Sequence, residues 1–220
     1  MKQIFKYRES KMFAGMVIFF YLLLIVLPEV FNRVVLEDGI VEWLTFFFLF
    51  GTGIYLLIMA FTNQQLNQYK YFIIFFGCFS LLAAMEEISW GQRVFGIENP
   101  EFFEKYSDQQ EINLHNSFQY FTVLTTKHIA AFVLAFYGII FPWLVKKFNL
   151  KIPGSIFDRV LFPGKYVWVP LIIGAFLVTD IIHSQDEEIA EFMWSISFLV
   201  FALHIRKGNI DDSGAIHYAK

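Results

Sequence analysis

Along this chain apolar residues come in long, nearly unbroken runs, and the charged residues are gathered in the short stretches between them. The runs cover about 12–28, 43–61, 71–90, 128–145, 166–182 and 187–205. Each is close to the ~20 residues an α-helix needs to cross a hydrocarbon core roughly 30 Å thick. The pattern predicts an all-α fold: a polytopic transmembrane helix bundle of about six spans, a single domain over 1–207, followed by a polar tail over 208–220. The first run follows a basic start, Lys2 to Lys11, as a signal peptide does. Pro28-Glu29-Val30-Phe31 follows it where a cleavage site needs small residues, so the run reads as a retained helix.

The punctuation between runs sharpens this reading. Gly51 and Gly53 in the second run allow a neighbouring helix to approach closely. The third run is purely apolar only from Tyr71 to Met85, about 22 Å of helix, so spanning requires it to continue through Glu86 and Glu87 to about Trp90. The long polar connection at 96–119 is acidic, and Asn99-Pro100-Glu101 marks the start of an interfacial helix over about 101–106. The polar stretch His183 to Glu188 lies between the apolar parts of the fifth and sixth runs, so they must form a tight hairpin.

Composition agrees with a lipid-solvated chain. Hydrophobic residues make up 57% and charged residues 17%, with 29 Phe, too apolar for a soluble domain that keeps a polar surface. The net charge of −3 and the lack of a basic stripe exclude a nucleic-acid partner. Cys78 is the only cysteine, so there is no disulfide framework and no thiolate metal site.

The basic residues set the orientation. Six spans put both termini on one side, which collects 13 of the 17 Lys and Arg; Arg33, Arg93, Lys105 and Lys127 fall on the other. By the positive-inside rule the termini are cytoplasmic. The same arrangement brings Glu42, Glu86, Glu87, His115, Lys127, His128, Asp180, His183, Glu187, Glu188 and Glu191 to the extracytoplasmic boundary. Ionisable groups at that depth are destabilising unless paired and are functional candidates by default.

The segment Glu86–Arg93, EEISWGQR, is the densest of these. One reading is an acidic helix end with Arg93 as its salt-bridge partner; the other gives Glu86 or Glu87 the role of proton carrier, metal ligand or general base. Glu187 and Glu191 are four apart and share a helix face; Glu187 and Glu188 suit a helix N-terminus, whereas Glu191 precedes an almost wholly apolar segment and is the stronger candidate. Asp180 with His183, and Glu111 with His115, have spacings that bring carboxylate and imidazole together if those segments are helical. The candidate catalytic set is Glu86, Glu87, Arg93 and Glu191; the candidate ligands for a divalent metal such as zinc are His115, Asp180, His183 and Glu187. His204 reads as an interface residue. No phosphate-cradling glycine loop, HExxH, GxSxG or CxxC occurs.

EEISWGQR, followed by GIENPEFF and then NLHN at Asn113–Asn116, resembles a signature of uncharacterised bacterial polytopic membrane proteins. The resemblance implies a multi-pass protein of the bacterial inner membrane and carries no activity with it. Three functions compete: a metal-assisted hydrolase or transferase acting on lipid-type substrates, a proton or cation channel or transporter, and a non-catalytic sensor or assembly subunit in stress response or phage defence. The lipid bilayer is the expected partner, with a homo-oligomer or a protein partner reached through the acidic loop 96–119.

Overall fold

A computed structural model describes residues 7–36, 39–107, 112, 126–148 and 159–207. Among the described residues the regular structure is helical. In order they form α1 (Arg8–Val26), α2 (Pro28–Val35), α3 (Ile40–Thr62), a 3₁₀ turn (Gln64–Tyr69), α4 (Lys70–Glu87), α5 (Gln92–Phe95) and α6 (Glu101–Tyr106). Then come α7 (Thr126–Lys147), α8 (Trp168–Leu177) and α9 (Asp186–Arg206). Among the described residues five helices are long and apolar enough to cross a membrane, and Lys165–Leu177 is a shorter apolar helix.

α9 is the axis of the bundle. Within its apolar window 67% of residues are buried, against 11–39% in the other long helices, so it meets protein on nearly every side. One flank packs with α1, α2 and α8 around Phe13, Phe31, Ile189 and Met193; the other packs with α3 and α4 around Leu56, Ile73, Phe201 and Ile205. The exposed faces carry large apolar side chains such as Ile18, Ile25, Phe47, Phe75 and Phe132. Such a surface is stable against lipid tails and not against water.

Several close crossings depend on glycine, two of them on Gly53 and Gly174. A Cβ on Gly53 of α3 would lie 2.6 Å from Leu81 Cγ and 2.9 Å from the Gly77 carbonyl oxygen of α4, so the backbones touch there. A Cβ on Gly51 would meet nothing within 4 Å, so this glycine plays no such part. On α8 a Cβ at Gly174 would meet Trp194 Nε1 at 2.3 Å; the indole lies against the helix and donates to the Pro170 carbonyl at 3.2 Å.

Two boundaries differ from those the apolar runs predict. α4 stops at Glu87 instead of continuing to Trp90, because Ser89, Trp90 and Gly91 take up left-handed backbone with φ of 46°, 55° and 77°. The fifth run ends as helix at Leu177, five residues early, and Asp180 then turns with φ of 50°. The polar link after α3 is itself a 3₁₀ helix, which lengthens the α4 rod at its other end.

Candidate functional site

The N-termini of α3, α7 and α9 and the C-termini of α4 and α8 meet at one end of the bundle. Each end delivers ionisable side chains. Glu42 comes from α3, Glu86 and Glu87 from α4, Lys127 from α7, Asp180 from the turn after α8, and Glu187, Glu188 and Glu191 from α9.

Two adjoining groups result. In the first, the Lys127 ammonium donates to Asp180 Oδ2 at 2.5 Å and to Glu187 Oε2 at 2.6 Å, joining three separate segments. In the second, Glu87 has Glu188, Glu42 and Glu86 as its charged neighbours. Glu191 has Glu87, Glu187, Lys127 and Glu42 as its own. Three helices thus place Glu42, Glu87 and Glu191 within electrostatic reach of one another, with Lys127 at the edge.

The α4 end is shaped by backbone that most residues avoid. Ser89, Trp90 and Asp180 are the non-glycine residues with positive φ among those described, and all three border this site. Such conformations cost roughly 1–3 kcal/mol each and persist where surrounding contacts hold them. Here the Trp90 indole donates to Glu86 Oε1 at 2.7 Å, which fixes the turn and draws Glu86 towards it. Gln92 Oε1 accepts from the Ile112 amide at 2.7 Å, tying Ile112 back to α5.

The predicted residues therefore separate. Glu87 and Glu191 share a site, with Glu86 at its rim. The Arg93 side chain lies outside the described residues, as do His115, Glu111 and the NLHN segment. Asp180 and His183 do not share a helix face, since the chain turns at Asp180. Asp180 and Glu187 converge on Lys127, whose ammonium already occupies the position between them. His183 points elsewhere: its ring meets Phe31 edge-on at 5.2 Å and its Nδ1 accepts from the Gln185 amide at 3.3 Å. Among the described residues no group of three or more His, Cys, Asp or Glu is placed to hold a metal ion.

Two polar residues have roles that pattern reading misses. Asp186, only 1% exposed, accepts from the Tyr21 hydroxyl at 2.7 Å and from the amides of Ile182 and His183 at 3.2 and 2.9 Å. It closes the α8–α9 hairpin and ties it to α1. At the far end of the bundle His204 is 4% exposed, stacks on Tyr166 at 4.2 Å and lies 4.0 Å from Glu9 Oε1. An acid at a helix start and a histidine at a helix end are common surface features, so neither announces its burial.

No family model matches the chain, and neither the curated proteins nor the solved structures contain a match to it.

Proposed function

We propose that this chain is a six-span protein of the bacterial inner membrane with both termini cytoplasmic, and that its extracytoplasmic acidic site performs acid–base chemistry on a lipid-type substrate, as a hydrolase or transferase. Lys165–Leu177 with the turn after it serves as the short span. Arg8, Lys70, Lys146, Lys147, Lys165, Arg206 and Lys207 gather opposite the acids, which supports the orientation. The observation that carries the function is the convergence of Glu42, Glu87 and Glu191 from three helices beside the strained Ser89–Gly91 turn.

In this reading Glu87 and Glu191 are the acid–base pair. Both residues are partly exposed. Carboxylates near a low-dielectric boundary are positioned to take a proton from an attacking hydroxyl or water and to return one to a leaving group. Lys127, held by Asp180 and Glu187, is a positioning cation that sets the field at the edge of the pair. A metal version of the same chemistry would need His115 together with acids that Lys127 does not already engage.

The test is turnover. Purified protein in vesicles made from a total lipid extract, followed by mass spectrometry of the lipids, should generate a product absent from empty vesicles. Glu87→Gln and Glu191→Gln should each slow it about 100-fold or more, the usual scale of a lost general acid or base. No change in any lipid species with the intact protein would overturn the proposal.

Proton or cation conduction is the second reading, favoured by hydroxyls buried beneath the acids: Thr45, Thr52, Ser80, Ser195 and Ser197. Thr45, Ser80, Ser195 and Ser197 donate to carbonyls of their own helices, which is how membrane helices satisfy such groups. Proton flux above that of empty vesicles, abolished by Glu191→Gln, would establish this reading in place of the first.

A further inference from the structure

At the basic end of the bundle α4 and α7 diverge and leave an open groove of about 610 Å³, a size usual for small-ligand sites. One wall is Tyr71, Phe75 and Phe79, a stripe at four-residue spacing along α4; the other is Val133 and Tyr137 of α7. Phe76 forms the floor, packed at 4.9 and 5.5 Å between ring centres against Phe198 and Phe201 of α9. Arg159 also lines the groove and is exposed.

Three features point to one occupant. First, Tyr71 to Phe79 rises about 12 Å, close to half of a roughly 30 Å hydrocarbon core, so the groove runs from the basic boundary to mid-membrane, the reach of one leaflet. Second, the walls are apolar and the lining includes one cation, Arg159, which matches an acyl chain below an anionic headgroup. Third, α7 carries a π-helical turn at Phe136–Ile140, a feature often found where a helix serves a site. That turn holds Tyr137, whose hydroxyl donates to the Leu161 carbonyl and ties the segment bearing Arg159 to the groove wall. A helix from a second copy is a poorer fit, since close helix pairing in lipid uses small residues and these walls are phenylalanine and tyrosine.

We propose that this groove binds an anionic glycerophospholipid from the leaflet at the basic end, one acyl chain lying between α4 and α7 and the phosphate on the Arg159 guanidinium. Arginine presents a planar fork of donors matched to phosphate oxygens, and its fixed charge discriminates anionic from zwitterionic headgroups. The site lies at the opposite end of the bundle from Glu87 and Glu191, so it stands or falls independently of the acid–base reading.

The experiment is retention of lipid by the full chain, reconstituted in nanodiscs containing equal phosphatidylglycerol and phosphatidylethanolamine, extracted gently and weighed by native mass spectrometry. The intact protein should carry one phosphatidylglycerol. Arg159→Gln should reduce that retention about tenfold, the scale of one lost charge-assisted contact. Val133→Trp, which fills the groove from an exposed position, should reduce retention of both lipids. Lys165→Gln, an exposed cation at the same end, should retain phosphatidylglycerol as the intact protein does. Equal retention of the two lipids, no effect of Arg159→Gln and Val133→Trp, or a mass showing a second chain seated in place of lipid would each overturn the proposal.

Discussion

Lys127 and Asp180 meet at 2.5 Å across 53 residues of chain, at a point where α7 begins and the turn after α8 reverses direction. Glu187 completes the arrangement at 2.6 Å, so one ammonium fastens three segments at the acidic end of the bundle. The Lys127 side chain is only 15% exposed, which places these bonds between surface ion pairs and fully buried ones.

Lys127→Met should therefore destabilise the protein by about 2–3 kcal/mol, above the ~1 kcal/mol of an exposed pair and below the 3–5 kcal/mol of a fully buried one. Adding Asp180→Asn and Glu187→Gln to Lys127→Met should recover part of that loss, because the uncompensated acids cause most of it. Thermal unfolding of the purified variants in one detergent checks both statements.

Asp186 is a structural acid. Asp186→Ala removes the acceptor for Tyr21 and for two amides, and should cost about 3 kcal/mol, since hydrogen bonds to a charged group contribute roughly 1.5–3 kcal/mol and buried donors are left unmet. Tyr21→Phe should cost about 1–2 kcal/mol by the same reasoning, leaving the hairpin amides served. The ordering of the two melting temperatures is the readout.

At the α3–α4 crossing Gly53→Ala should cost about 1–3 kcal/mol, because the added methyl meets Leu81 and the Gly77 carbonyl and the helices must separate. Gly51→Ala, two residues away on an open face, should be neutral or slightly stabilising. Side-by-side melts of the two variants decide the matter.

Much of the bundle is legible in the chain because hydrophobic length is a one-dimensional signal. The runs at 43–61 and 187–205 become α3 and α9 within a few residues. What escapes is whatever depends on contacts distant in sequence. Gly91 hints that α4 ends early, yet only the left-handed backbone of Ser89 and Trp90 shows that Glu87 is the last residue of the helix. Nothing along the chain marks Asp186 until Tyr21 is seen against it, and His204 reads as an interface residue until it is found stacked on Tyr166. Lys127 lies at the same end of the bundle as the acids, but nothing in its neighbourhood along the chain names Asp180 and Glu187 as its partners.

If Glu87 and Glu191 are held together for chemistry, their mutual repulsion is tolerated at some loss of stability. Each neutral variant, Glu87→Gln or Glu191→Gln, should then melt a few degrees higher than the intact protein, a gain of about 0.5–2 kcal/mol, while losing activity. A fall in melting temperature in both would mark the acids as structural instead.

The most direct check on the shared acidic site is pairwise thiol cross-linking in a Cys78→Ser background. Cysteines in place of Glu87 and Glu191, or of Glu42 and Glu191, should be joined within one chain by a short bis-thiol reagent in native membranes. Cysteines in place of Glu9 and Glu191, at opposite ends of the bundle, should not. Cross-linking of the first two pairs no better than the third would show that α3, α4 and α9 do not bring these carboxylates together.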